Sequence, residues 1–318
     1  MGLSKIIDEN RRSADQLGWD PSWFGVEDWG TALVKAITAF QRAFEIKPDG
    51  WCDETTFRRI LSERDEVETP KRPEVLSDHF IFAGERIPVP GAKIITMDED
   101  GALPIRLQGE RRRRYNAVER PPESVTAIIV HWDATSSAAV TRRVLEAKDI
   151  SSNFCIDWDG VIYQYVDAAC ETYHAGIGIV NDVAIGIDLN CEVGGGEKTK
   201  EINRRLVDKG RLPRPIVDGV RINGWRPKPF LGLYGEQVAA LTALVSAITK
   251  HTGVPLERPA STGDANDIRS LRRARDFGPG IYHHAEVDWK REIKGKFRRS
   301  GKWDTSNLDL DAVVRRAA

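Results

Sequence analysis

The chain has no apolar run approaching the ~20 residues a membrane-spanning helix requires, so no membrane span is expected. Met1 to Asp20 is polar and charged and lacks the apolar stretch of a cleaved export signal, so synthesis in the cytoplasm without a signal peptide is expected. Cysteine is sparse: Cys52, Cys155, Cys170 and Cys191, with no CxxC pair, which argues against a disulfide framework and for reduced thiols. There is no excess of either charge. Lys and Arg total 47 against 48 Asp and Glu, a formal net charge of −1, which removes any global pull toward nucleic acid or anionic membrane. No 20–50-residue repeat suggests a solenoid. What is present is ordinary for a globular protein: 41% hydrophobic and 30% charged residues in 318, enough for two domains and one large core.

The N-terminal part reads as helical. Leu33, Ile37, Phe40 and Phe44 recur at helical spacing and make one apolar stripe. Pro48-Asp49-Gly50 signals a turn, and Asp53 is placed to cap a second helix carrying Phe57, Ile60 and Leu61. The string from Ala32 to Leu61, with its Ala39-Phe40-Gln41 and Asp49-Gly50, resembles the type 1 peptidoglycan-binding domain, a small three-helix module. Trp51-Cys52 departs from that pattern, standing where smaller residues are usual. The resemblance implies a wall-binding domain over residues 1–64; a helical packing or dimerisation unit is the alternative. Residues 65–120 follow as a linker, charged from Glu63 to Arg72 and broken by Pro70 and Pro73. His79 to Thr96 has the β-branched residues and the Gly and Pro turns of a hairpin that would decorate the next domain. Arg111 to Arg114 reads as a solvated run or as a contact to anionic wall polymer.

From residue 121 onward strands and helices alternate. Thr126–Val130, Phe154–Asp157, Gly160–Val166 and Ala184–Asn190 read as strands, and Ala139–Lys148 and Glu236–His251 as helices. His131 ends the first strand, in Ile128-Ile129-Val130-His131-Trp132-Asp133. His283 and His284 end a later apolar run, and Lys302-Trp303-Asp304 follows. Two imidazoles and one carboxylate suffice for a catalytic zinc site, which takes three protein ligands and keeps a fourth position open.

The blocks 127–135, 151–167, 173–190, 282–289 and 302–310, in this order, resemble the zinc-dependent N-acetylmuramoyl-L-alanine amidases of type 2, which share a fold with the peptidoglycan recognition proteins. The resemblance implies an α/β catalytic domain over 121–318, with a central mixed β-sheet flanked by helices. It implies Zn2+ held by His131, His284 and Asp304, with His284 chosen over His283 because His284-Ala285-Glu286-Val287 fits the family's ligand step. It makes Lys302 the usual companion of the third ligand, at the developing oxyanion. The strand Ile185-Gly186-Ile187-Asp188-Leu189 has Asp188 where the family often carries a catalytic Glu, and Ser152 stands where other members carry a Tyr base. Asp188 is thus the general base, with His174 of the Tyr173-His174-Ala175-Gly176 loop as a further acid–base or oxyanion group. Residues 194–233 are longer than the family's usual crossing and are expected to form a lid or groove wall over the site, with a plain surface loop as the alternative. The resulting expectation is a monomeric peptidoglycan hydrolase that cuts between N-acetylmuramic acid and L-alanine on the bacterial wall. A phage endolysin is the leading setting. A non-catalytic recognition protein, or a wall-degrading toxin delivered by an injection machine, is the alternative.

Overall fold

In the computed structural model, which describes residues 2–64, 70–107, 115–117, 119–287, 291–293, 296–298 and 304–318, the first three helices pack around one aromatic cluster. They are α1 (Leu3–Leu17), α2 (Thr31–Ala43) and α3 (Glu54–Arg64). Asp53 caps α3 as its position implies, accepting from the Thr56 amide at 2.8 Å. Gln41 explains the Ala-Phe-Gln and Asp-Gly pairing. Its amide donates to the Trp51 carbonyl at 2.8 Å and accepts from the Gly50 amide at 2.9 Å, which ties α2 to the turn before α3. Gly50 sits at φ +76°, and a Cβ there would lie 2.6 Å from a Val34 methyl, so only glycine suits this turn.

A hairpin follows, β1 (His79–Phe82) and β2 (Glu85–Pro88), and then the short β3 (Ile94–Ile95). The chain continues through β4 (Ala127–Trp132), α4 (Ala138–Ala147), β5 (Phe154–Ile156), β6 (Ile162–Gln164), α5 (Gly178–Asn181) and β7 (Ala184–Leu189). Then come α6 (Glu197–Asp208), β8 (Ile216–Val217), β9 (Arg221–Ile222), β10 (Phe230–Leu231), α7 (Gly235–Thr252), β11 (Asp267–Ile268), β12 (Gly280–His283), α8 (His284–Val287) and α9 (Leu310–Ala317). Six strands make a mixed sheet in the order β12-β4-β7-β5-β6-β3. All neighbours are parallel except β5 and β6.

Side chains alternate across this sheet with period two. Ile128, Val130, Phe154, Ile156, Ile185 and Ile187 face α7, whose Leu241, Leu244, Val245 and Ile248 are all fully buried. Cys155 and Tyr163 face the other way, against Ala138 and Ala139 of α4. The four cysteines are free and buried. Among the described residues no helix is long and apolar enough to cross a membrane.

Two findings go beyond the sequence reading. The hairpin is present, but Phe80, Phe82, Val89 and Ile94 belong to the main core and β3 is an edge strand of the sheet, so this stretch is part of the catalytic fold and not only a linker. The helical unit is docked and not merely tethered: Val140 and Val144 of α4 sit in one cluster with Leu33, Ile37, Phe57 and Leu61. The reason is that α4 is apolar on two sides, Ala138 and Ala139 toward the sheet and Val140 and Val144 outward. Polar contacts lock the dock. Arg59 donates to the Val193 carbonyl at 3.0 Å, and Arg205 bridges Glu63 and Glu192.

That places the 194–233 segment. It contains α6, whose Ile202 and Leu206 enter the core, and β8 and β10 pair antiparallel. The segment braces the helical unit and contributes no described residue to the groove beside His131. The expected lid is therefore not formed from it. Arg111 to Arg114 lie outside the described residues.

Because both units share one cluster, Phe57→Ala should destabilise them together. Phe57 is fully buried, and truncating such a Phe costs about 3–5 kcal/mol. Urea unfolding followed by α7 hydrogen exchange should shift with that followed by helical-unit signals. Unchanged protection of α7 would show the two units to be energetically independent.

Candidate active site

Parallel pairing builds the site. β12 and β7 flank β4, with His283 opposite Val130 and Asp188 opposite His131. All three strands run the same way, so their carboxyl ends meet at one edge of the sheet, where ligand sites of α/β sheets form. His131 lies on the face shared with Ala127 and Ile129, and Asp188 on the matching face of β7. β12 turns directly into α8, which brings His284 to the same edge.

His131 Nδ1 and His284 Nδ1 are 2.9 Å apart, and Asp304 Oδ2 lies 2.7 Å from His284 Nδ1 and 3.8 Å from His131 Nδ1. The three ligating atoms fall within 4.8 Å of one another. A tetrahedron with bonds of ~2.0–2.1 Å has edges of about 3.3–3.4 Å, within the spread of these separations. The donor set therefore fits a tetrahedral cation with one position left open. Around it runs a groove of about 680 Å³, into which His174, Asp188 and Asp133 also face.

The family model for N-acetylmuramoyl-L-alanine amidase (Amidase_2) matches residues 121–296, more than half of the chain. The chain belongs to this amidase family. No curated protein matches the chain. Among solved structures it is similar to a selenomethionyl AmpD derivative, at 15% identity and TM-score 0.33 over 72% of this chain and 94% of that one. It is also similar to the Drosophila peptidoglycan recognition protein PGRP-SA, at 17% identity and TM-score 0.20 over 31% of this chain and 68% of that one.

The amidase site rests on buried polar contacts that hold each group. His174 Nδ1 meets His131 Nε2 at 2.8 Å. The His174 and Ala175 amides donate to Asn181 Oδ1 of α5 at 3.3 and 2.8 Å, which fixes the loop. The ring of His174 crosses β7 at Gly186, where a Cβ would approach it to 2.7 Å. A strand glycine of this kind marks a close approach that any side chain would block.

His283 points elsewhere. Its Nδ1 is 2.6 Å from Thr305 Oγ1, and burial together with the Arg258 charge drives its pKa well down, so it is neutral. Its backbone N–H donates to Glu286 at 2.7 Å, and Glu286 pairs with buried Arg258 at 2.6 Å. Burial pushes the Glu286 carboxyl up to about 7. The Ala285 amide donates to the Asp304 carbonyl at 2.7 Å, which joins the segments that carry His284 and Asp304.

Asp188 is buried, and burial, with Asp133 and Asp304 nearby, pushes its carboxyl up to about 8 against a hydrogen bond from Ser152. Asp133 is also raised, to about 6, by burial. It accepts from the amides of Thr135 and Cys191 at 3.0 and 3.1 Å and from Asn190 at 3.2 Å, so it organises the loop after β4. The sequence offered no sign of this role beyond the position of Asp133 two residues after His131. Lys302 lies outside the described residues.

Purified protein is expected to keep about one zinc per chain after dialysis, since three ligands of this type hold a catalytic ion. The double variant His131→Ala, His284→Ala should lose it while keeping its far-UV circular dichroism. Full zinc in a folded double variant would place the ion elsewhere.

Proposed function

We propose that the protein is a zinc-dependent amidase cutting the bond between the lactyl carbonyl of N-acetylmuramic acid and L-alanine. The observation that carries this is the convergence of His131, His284 and Asp304 at one end of a groove, inside the region matched by the amidase family. The bond is resonance-stabilised and its amine leaves poorly, so it needs a polarised carbonyl, an activated water and a proton donor. Zinc, when bound, supplies Lewis acidity toward the carbonyl and lowers the pKa of water toward ~7.

The remaining work falls to this chain's residues. His131 and His284 would offer Nδ1 and Asp304 a carboxylate oxygen. Ligation through Nδ1 leaves the His131 proton on Nε2, where it donates to His174 Nδ1 and fixes the ring. His174 Nε2 is itself buried, so we read His174 as a positioning residue more than as a contact to the reacting carbonyl. Asp188 lines the groove one strand away, and its raised pKa equips it to hold a proton near neutral pH. It would take the proton of the attacking water and return one to the departing alanine amine. Lys302 is the expected partner of the oxyanion, by its place two residues before Asp304. The helical unit's likeness to a wall-binding module supports action on intact peptidoglycan, in a lytic, endolysin-like setting.

Two measurements test this reading. Mass spectrometry of digested sacculi should show release of intact peptide stems with free alanine amino groups; peptides cut internally would refute it. Asp188→Asn should keep zinc and lose about 10²–10⁴ in rate, the usual cost of removing a general base. Asp188→Glu, which restores the residue common in the family, should keep appreciable turnover. Near wild-type rates in zinc-loaded Asp188→Asn would move the base elsewhere.

A further inference from the structure

Part of the groove's lining does not come from the amidase domain. Glu54, Thr55 and Arg58 of α3 and Gln16 of α1 line the same groove as His131, Asp188 and His284. The helical unit therefore contributes to the groove, and two of the residues it presents there, Glu54 and Arg58, are charged.

The charges are unequal in their commitments. Glu54 is paired with Lys148, the residue that ends α4, at 3.0 Å. Asp133 is spent on Thr135, Cys191 and Asn190, and Asp304 on His284. Arg58 is different. Among the described residues its guanidinium makes no hydrogen bond or ion pair; its charge reaches Asp188 and favours that carboxylate's ionised form without contacting it, and its Nε is buried without a partner. Its backbone is nonetheless held firmly, because the next residue, Arg59, is tied to Val193, and Glu63 one turn on is tied to Arg205. A pre-positioned guanidinium with open donors, half-buried in a groove, is suited to a carboxylate or phosphate.

The substrate has one arm of that chemistry. Near the scissile bond the muramic acid arm presents hydroxyl and acetamide groups, which are neutral. The peptide arm presents carboxylates, the nearest being the α-carboxylate of the second stem residue, a γ-linked D-glutamate. We propose that Arg58 of the helical unit binds this carboxylate, so that the unit selects acidic peptide stems inside the active-site groove. This rests on the amidase reading above for the direction of the substrate, and not for the existence of the anion site.

The test is binding of a cleaved stem, which needs no turnover. L-Ala-γ-D-Glu-L-Lys and the same tripeptide with the D-glutamate α-carboxylate amidated are titrated calorimetrically into the full-length zinc-loaded protein. The acid should bind about 10- to 100-fold more tightly than the amide, as expected for a charge-assisted contact in a half-buried groove. Arg58→Ala should erase that ratio, and Arg58→Lys should keep part of it. KM for the two corresponding muropeptides should follow the same ratios, with kcat changing little by comparison. Equal binding of acid and amide by the wild type, or a ratio that survives in Arg58→Ala with an unaltered unfolding transition, overturns the assignment. Sacculi left uncut at the lactyl–alanine bond would refute the amidase reading, while the acid-to-amide ratio would still decide Arg58.

Discussion

Everything at the site depends on the parallel register of β12, β4 and β7. His131 faces the groove because it stands an even number of residues from Ala127 along β4, and Asp188 does so because it lies directly opposite on β7. A slip of one residue between these strands would send the imidazole or the carboxylate into the α7 core. The core forbids that slip, since Ile128, Val130, Ile185 and Ile187 fill it without exposure. The chemistry is thus held in place by hydrophobic packing on the opposite face of the same strands.

This arrangement places several acids in little water. Asp133 and Asp304 both act on Asp188, and burial raises both Asp133 and Asp188. Buried carboxylates are costly unless hydrogen-bonded or paired with a cation. Asp133 takes the first route, through two backbone amides and Asn190. Asp304 and the two imidazoles, with lone pairs converging at 2.7–3.8 Å, are suited to the second. The same crowding of donors is what would give a divalent cation its affinity.

The helical unit changes how the groove should be viewed. Its aromatic cluster merges with α4, and the bridges from Glu63 to Arg205 and from Arg59 to Val193 orient α3 along the groove. A helical unit on a loose tether would leave that side of the groove unlined. The docked one lines it with Gln16, Glu54, Thr55 and Arg58. The 194–233 segment contributes indirectly, by holding the unit in position instead of covering the site.

Sequence alone determined much of this protein. Apolar, strand-like runs marked β4, β5 and β7, helical spacing marked α2, α3 and α7, and the resemblance of the blocks around His131, His284 and Asp304 to the amidase family named the cluster that the fold brings together. The elements were legible because local periodicity is a property of short segments, and the site because the family's blocks are short local motifs. α1 was missed because its buried face is Asn10, Ser13, Ala14 and Leu17, half polar, with Asn10 bonded to Gly50 and Cys52 in place of an apolar stripe. The parts in β3, Gly186 and Arg58 were beyond reach for a different reason. A two-residue edge strand has no periodicity, the need for glycine at 186 exists only where His174 crosses β7, and Arg58 is one arginine among many until α3 docks. Such roles are set by which distant segments touch, and only tertiary packing decides that.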